Sequence, residues 1–136
     1  MTIPELLRTS KTIAVIGISS DSDRPSYSVA KRLMRAGYTI VPVNPRYKEW
    51  EGLVCYSYVS SIPENIEIDI VDIFRRSEAT PDTVLDVLKR KNKPRCIWLQ
   101  SGIRNVQARH LAESAGIFFV EDRCTAVEVA MAKARV

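Results

Sequence analysis

The side chains able to do chemistry fall in short polar segments, each close behind an apolar run. The first, from Gly17 to Ser26, reads Gly-Ile-Ser-Ser-Asp-Ser-Asp-Arg-Pro-Ser. Then come Asn44-Pro45-Arg46, Arg75-Arg76-Ser77, Gln100-Ser101-Gly102 and Asp122-Arg123-Cys124. Small residues let backbone N–H groups approach an anion, and guanidinium forks grip phosphate oxygens in pairs. One such segment is an ordinary polar loop. Several on one edge make a phosphate site, and a nucleotide is its usual occupant.

Bond-making chemistry is harder to find. A nucleophile needs a base in reach, and a general acid or base needs a tuned environment. The single histidine, His110, falls in a helical pattern and is expected to have a surface or packing role. Cys55, Cys96 and Cys124 lie far apart without Cys-x-x-Cys spacing, which reads as reduced thiols of a cytosolic protein. Zinc-ligand spacing, a Ser–His–Asp set and paired carboxylates do not stand out. Asp69 and Asp72 are expected to make structural pairings, with a helix N-terminus or an arginine. Cys124 is the thiol with the most to offer. It precedes Thr125-Ala126-Val127-Glu128, which has capping-box spacing, and a helix start favours the thiolate. The competing expectation is a small residue buried under the last helix.

These segments need a scaffold that presents them together. Ile13 to Ile16 is apolar and largely β-branched and stops at Gly17, as a buried strand of a parallel sheet would. Thr2-Ile3-Pro4-Glu5 has capping-box spacing and predicts a short helix to about Thr9 ahead of a strand at Thr12–Ile18. A helix over about Ser26–Ala36 would bury Val29, Ala30, Leu33 and Met34, with Gly37 at its C′ position. The second strand is read at Tyr38–Val43. Residues Arg46 to Ser61 form a longer connection, with room for a turn of helix or an extra strand near Cys55. Trp50 has no clear place in it. The third strand lies within Ile66–Phe74. Thr80-Pro81 reads as N-cap and first residue of a helix that ends near Asn92 and buries Val84, Leu85, Val87 and Leu88. Cys96–Leu99 is the fourth strand, with Trp98 in the core. Asn105 caps a helix expected to bury Val106, Leu111 and Ala112 and to end at Gly116. Ile117–Val120 is the fifth strand, and a C-terminal helix starts at Thr125. Alternating strands and helices predict an α/β, doubly wound parallel sheet of about five strands with helices on both faces. In such sheets ligands bind beyond the carboxyl ends of the strands, which is where the polar segments fall.

The length of 136 residues suits one domain, spanning 1–136, and 46% hydrophobic residues suffice for a core. The net charge of +4 suits an anionic ligand, but the basic residues are scattered, which disfavours nucleic acid. A charged-then-apolar leader and a bilayer-length apolar run are both missing from the pattern, so a cytoplasmic protein is expected.

The first loop carries only part of the dinucleotide fingerprint. Gly17 is present, Ser19 stands where a second glycine would be, and a third does not follow. NAD-binding sheets place a carboxylate after the second strand to hold the ribose hydroxyls. Asn44-Pro45-Arg46 puts a cation there instead. That disfavours NAD and suits a ribose bearing its own phosphate, as in NADP or coenzyme A (CoA).

At these residues the chain resembles the stand-alone CoA-binding domain proteins, whose Rossmann-like domain is also similar to the N-terminal half of the succinyl-CoA synthetase α subunit. The resemblance rests on Ile13-Ala14-Val15-Ile16-Gly17-Ile18-Ser19, Arg24-Pro25-Ser26-Tyr27 and Val41-Pro42-Val43-Asn44-Pro45. It continues through Asp69 to Arg76, Trp98 to Ile103 and Asp122-Arg123-Cys124. It implies a CoA or acyl-CoA site with Gly17, Ser19, Ser20, Arg24, Pro25 and Ser26 around the pyrophosphate. It places Asn44, Pro45 and Arg46 beside the adenosine ribose, and Phe74, Arg75, Arg76, Gln100 and Gly102 along the rest of the cofactor. Arg46, helped by Lys48, is expected to meet the 3′-phosphate. The synthetase's domain with the phosphorylated histidine has no counterpart in this chain, so ligase chemistry is not expected and an enzyme activity is not assigned. Two other readings stay open. One is an NADP-dependent oxidoreductase completed by a dimer mate or another partner. The other is an interaction protein that a nucleotide merely stabilises.

Overall fold

The computed structural model describes residues 1–134. The expected domain range, 1–136, runs two residues past the described ones. The chain opens with α1 (Ile3–Thr9), followed by β1 (Thr12–Ile16), α2 (Pro25–Arg35) and β2 (Thr39–Val43). A small hairpin, β3 (Glu49–Trp50) and β4 (Leu53–Val54), comes next. Then β5 (Ile70–Ile73), α3 (Thr80–Val87), β6 (Cys96–Leu99), α4 (Val106–Ser114), β7 (Phe118–Val120) and α5 (Thr125–Ala134) alternate to the end. Five strands form one sheet in the order β2-β1-β5-β6-β7, and every pairing within it is parallel. The chain leaves β1 toward β2 and later returns to the other side of β1 with β5. The strand order therefore reverses between β1 and β5, opening a crevice at their carboxyl ends.

Both faces of the sheet are covered. Ile13, Val15, Ile70 and Trp98 pack beneath α1, α2 and α5 with Leu6, Leu33 and Val129. Ala14, Val71, Ile73, Ile97 and Leu99 pack against α3 and α4 through Val84, Val87, Ala108 and Ala112. Strands buried on both faces explain the unbroken apolar runs in the sequence. The Thr2–Glu5 capping box forms as expected. Gly37 and Tyr38 donate to Met34 and Leu33, the paired C-terminal bonds of a Schellman motif.

Several local expectations are corrected. Helix α3 starts at Thr80 with Ala79 as N-cap, because the Thr80 hydroxyl donates to the Ser77 carbonyl of a preceding 3-10 turn. It ends at Val87 rather than near Asn92, and the chain continues in single turns. Its buried face is Thr80, Thr83, Val84 and Val87, which leaves Leu85 exposed. On α4 the inward positions are Ala108 and Ala112, and Val106, the first helical residue, is 85% exposed. The capping box at Thr125 does not form. Thr125 is the first helical residue, the Glu128 N–H bonds the Cys124 carbonyl, and the Thr125 hydroxyl accepts from Gln100 and donates to the buried Asp72 carboxylate. Trp50 lies in the β3–β4 hairpin and is buried.

Candidate functional site

The carboxyl ends of the parallel strands enclose a cavity of about 960 Å³. Gly17, Ser19, Arg24, Pro25, Ser26, Asn44, Arg46, Phe74, Arg75, Arg76 and Gln100 all border it. Residues more than eighty positions apart in sequence thus meet on one edge, as the polar segments required. Pro45 borders a second recess of about 590 Å³, which shares Gly17, Asn44, Arg46, Phe74, Arg75 and Arg76 with the first. Ser20 and Gly102 border neither. Ser20 is exposed at the tip of the first loop. The Gly102 N–H is donated to Asp122 Oδ1 at 2.7 Å, so this glycine braces the rim.

Gly17 explains why the first loop sits so low. Its φ is 80°, and an added Cβ would lie 2.3 Å from the Phe74 carbonyl oxygen. Only glycine tolerates both the left-handed backbone and that approach. The loop it starts is anchored from outside the sheet. Asn44 donates through Nδ2 to the Ile18 carbonyl at 2.8 Å and accepts from the Arg46 N–H at 2.9 Å. Trp50 Nε1 donates to the Ser19 carbonyl at 2.8 Å. Asn44 is thus occupied in shaping the loop, although it borders the cavity. The hairpin carrying Trp50 is fastened to α2. Tyr27 meets the Trp50 ring edge-on at 5.7 Å, and Glu51 takes hydrogen bonds from the Tyr27 hydroxyl and Lys31.

The electrostatics favour an anion. Arg24 and Arg46 make no ion pair among the described residues, and Arg75 spends one N–H on the neutral Thr83 hydroxyl at 3.3 Å. Arg24 is the N-cap of α2, Pro25 its first residue, and no side chain caps that end. The amide dipoles at the start of α2 therefore point toward the same space as the guanidinium groups. Tyr47, missed as a site residue in the sequence, also borders the cavity. Ser20 and then Ser19 hold its phenol below the ordinary range. Its signal was position: an aromatic residue directly after Asn44-Pro45-Arg46.

At the far end lie Gln100, Ser101, Ile103 and Cys124. Cys124 is partly exposed and unpaired, not sealed under α5, whereas Cys55 and Cys96 are buried. Beneath Gln100 sits Asp72, fully buried on β5 between Val15 and Trp98. The Asp72 carboxylate accepts from Gln100 Nε2 at 2.7 Å and from Thr125 Oγ1 at 2.9 Å. Burial pushes this carboxyl up to about 7, against the lowering effect of those two bonds. Asp69 is also structural, accepting the Lys11 and Thr12 N–H groups. Among the described residues no cluster of three His, Cys, Asp or Glu side chains is placed to hold a metal, and no helix is long and apolar enough to cross a membrane.

Two known proteins match the chain over nearly all of its length. It is 38% identical over 131 residues to the Bacillus subtilis protein YneT, covering 96% of this chain and 94% of that one. The solved structure of cell-free ID.343 from Thermus thermophilus superposes with a TM-score of 0.88 at 36% identity, covering 97% of this chain and 99% of that chain. A shorter match, 38% identical over 61 residues, joins it to acetate–CoA ligase (ADP-forming) I of Archaeoglobus fulgidus and covers 45% of this chain and 9% of the ligase. The family model described as CoA binding domain matches residues 11–130, and the chain belongs to that family.

Proposed function

We propose that the protein binds coenzyme A or an acyl-CoA at the carboxyl edge of its sheet and serves as a binding module. The observation that carries this reading is the meeting of Arg24, Arg46 and Arg75 around one cavity, with no carboxylate among the described residues engaging Arg24 or Arg46. CoA offers a pyrophosphate and a 3′-phosphate to such a set. The residues present fit it: Gly17 lets the first loop lie against the Phe74 carbonyl beside the cavity, and the start of α2 supplies uncapped amide dipoles. In this reading Ser19, Arg24 and Ser26 hold the pyrophosphate, Arg46 meets the 3′-phosphate, and the pantetheine arm runs past Phe74 toward Gln100 and Cys124.

The ligase similarity supports the binding half of this assignment. It spans under a tenth of the ligase, so the ligase reaction does not come with it. An NADP site would also use Arg46, but family membership weighs toward CoA. We place the protein in the cytoplasm, where CoA and reduced thiols occur together. Equilibrium titration tests the proposal. CoA should bind more tightly than NAD or NADPH and should raise the melting temperature by mass action. Tighter binding of NAD than of CoA would reject it.

A further inference from the structure

Under the cavity, three side chains form a closed hydrogen-bonded triangle. Gln100 Nε2 donates to Asp72 Oδ1 at 2.7 Å and to Thr125 Oγ1 at 2.6 Å, and Thr125 Oγ1 donates to Asp72 Oδ2 at 2.9 Å. Both amide hydrogens of Gln100 are therefore used. Its carbonyl oxygen accepts nothing from the described residues, yet no buried polar side-chain atom among them lacks a partner. That oxygen must reach open space, and the space Gln100 borders is the cavity. The present amide orientation suits an ionised carboxylate, which is acceptor-only and takes a hydrogen bond on each oxygen.

We propose that Gln100 is a reversible reader of the ligand's thiol end, and that the charge on Asp72 sets which of its polar atoms faces the cavity. With Asp72 ionised, the carbonyl oxygen faces out and suits a hydrogen-bond donor, such as the thiol of free CoA. A proton on Oδ1 of Asp72 puts a donor against Nε2. Rotation of the terminal amide by half a turn relieves that clash at no cost in volume. The carbonyl oxygen then accepts from the carboxyl and from the Thr125 hydroxyl, which turns toward it from Asp72, and the amide N–H groups face the cavity. That face suits an acceptor, such as the carbonyl of a thioester.

The surroundings leave Asp72 free to play this part. On β1 its neighbour is Val15 and on β6 it is Trp98, both uncharged. Among the described residues α5 offers it the Thr125 hydroxyl. Cys96 is the other titratable group that feels its charge: burial first, then Asp72, pushes that thiol up. The nearby cation Arg95 is spent on the Ser10 and Thr9 hydroxyls. Burial opposes ionisation of Asp72 and, with no ion pair to it among the described residues, pushes its carboxyl up to about 7.

This inference rests on the CoA reading, and one experiment separates their failures. Dissociation constants for CoA and acetyl-CoA are measured from about pH 8.5 to about pH 5.5, and their ratio is followed. The ratio cancels titration of the phosphates, which both ligands share. Acetyl-CoA should gain on CoA by roughly tenfold as pH falls, the worth of one made against one unmade hydrogen bond. Asp72→Asn, which mimics the neutral acid, should hold the low-pH ratio at every pH. Gln100→Met, a second variant that spares Asp72, should make the ratio independent of pH. Both ligands binding to the parent protein with a constant ratio would overturn this inference alone. Failure of both to bind at any pH would overturn the CoA reading and this inference with it.

Discussion

Replacing Gly17 with alanine should destabilise the protein by an amount that can be divided into its parts. The first part is conformational: at φ 80° a side chain costs roughly 1–2 kcal/mol. The second is contact, because the new Cβ would stand 2.3 Å from the Phe74 carbonyl oxygen, a backbone atom that cannot swing away. Forcing β1 and β5 apart at that point costs about 1–3 kcal/mol more, as overpacking does elsewhere. Gly52 provides the control. Its φ is 78°, and nothing lies within 4 Å of a Cβ built there, so Gly52→Ala incurs only the first cost. Urea unfolding of the two variants should therefore show Gly17→Ala the less stable by about 1–3 kcal/mol. CoA affinity should fall in Gly17→Ala, since the shift moves Phe74 and Arg75 at the cavity wall. Equal stabilities for the two variants would refute the claim that this glycine is required for close approach.

Other predictions follow from the same geometry. Arg46→Ala should weaken CoA several-fold while leaving dephospho-CoA nearly unchanged, because Arg46 lies at an exposed rim where ion pairs are modest; equal losses by calorimetry would remove it from the 3′-phosphate. Trp50→Phe deletes the bond to the Ser19 carbonyl and should cost about 1 kcal/mol of stability together with some CoA affinity; unchanged binding would mean the loop holds its shape unaided. Incubation with CoA disulfide should add one CoA to Cys124. The thiolate attacks one sulfur of the disulfide, a mixed disulfide forms, and CoA thiolate leaves; intact mass of the parent and of Cys124→Ser decides whether the adduct is specific. Asp72 binds its proton more tightly folded than unfolded, so stability should fall as pH rises from about 4 to about 7 and level off above. Asp72→Asn should flatten that part of the profile, and a slope left intact would assign it to another group.

The architecture was legible because the β-branched runs at Ile13, Ile70 and Ile97 repeat with helical stretches between them. The site was legible for a related reason. Once the strands are parallel, whatever follows each one lies on the same edge, and Arg24, Arg46 and Arg75 meet there. What escaped were features decided over long range. Thr125 with Glu128 has capping spacing, but its hydroxyl accepts from Gln100 and donates to the buried Asp72 carboxylate, 53 positions earlier, while the Glu128 N–H bonds the Cys124 carbonyl. Val106 and Leu85 look like core residues by type, yet the helices turn Ala108 and Thr83 inward. The hairpin strands are two residues each, too short for any period to show. Trp50 reveals its place only through partners on α2 and in the first loop.

That hairpin joins the site to a part of the fold that can open by itself. Its two strands pair with each other outside the main sheet, α2 holds it through Tyr27 and Lys31, and the chain just after β4 is tied to β2 at Tyr56. Such a unit unfolds locally at lower free energy than the sheet beneath it. When it lifts, the Ser19 carbonyl loses Trp50 and the first loop loses an anchor. Ligand departure can then proceed through partial opening that withdraws Trp50 from its core and leaves the pairing of the five-stranded sheet intact. The lifetime of the complex would be tuned by residues such as Glu51 and Lys31, which border neither recess.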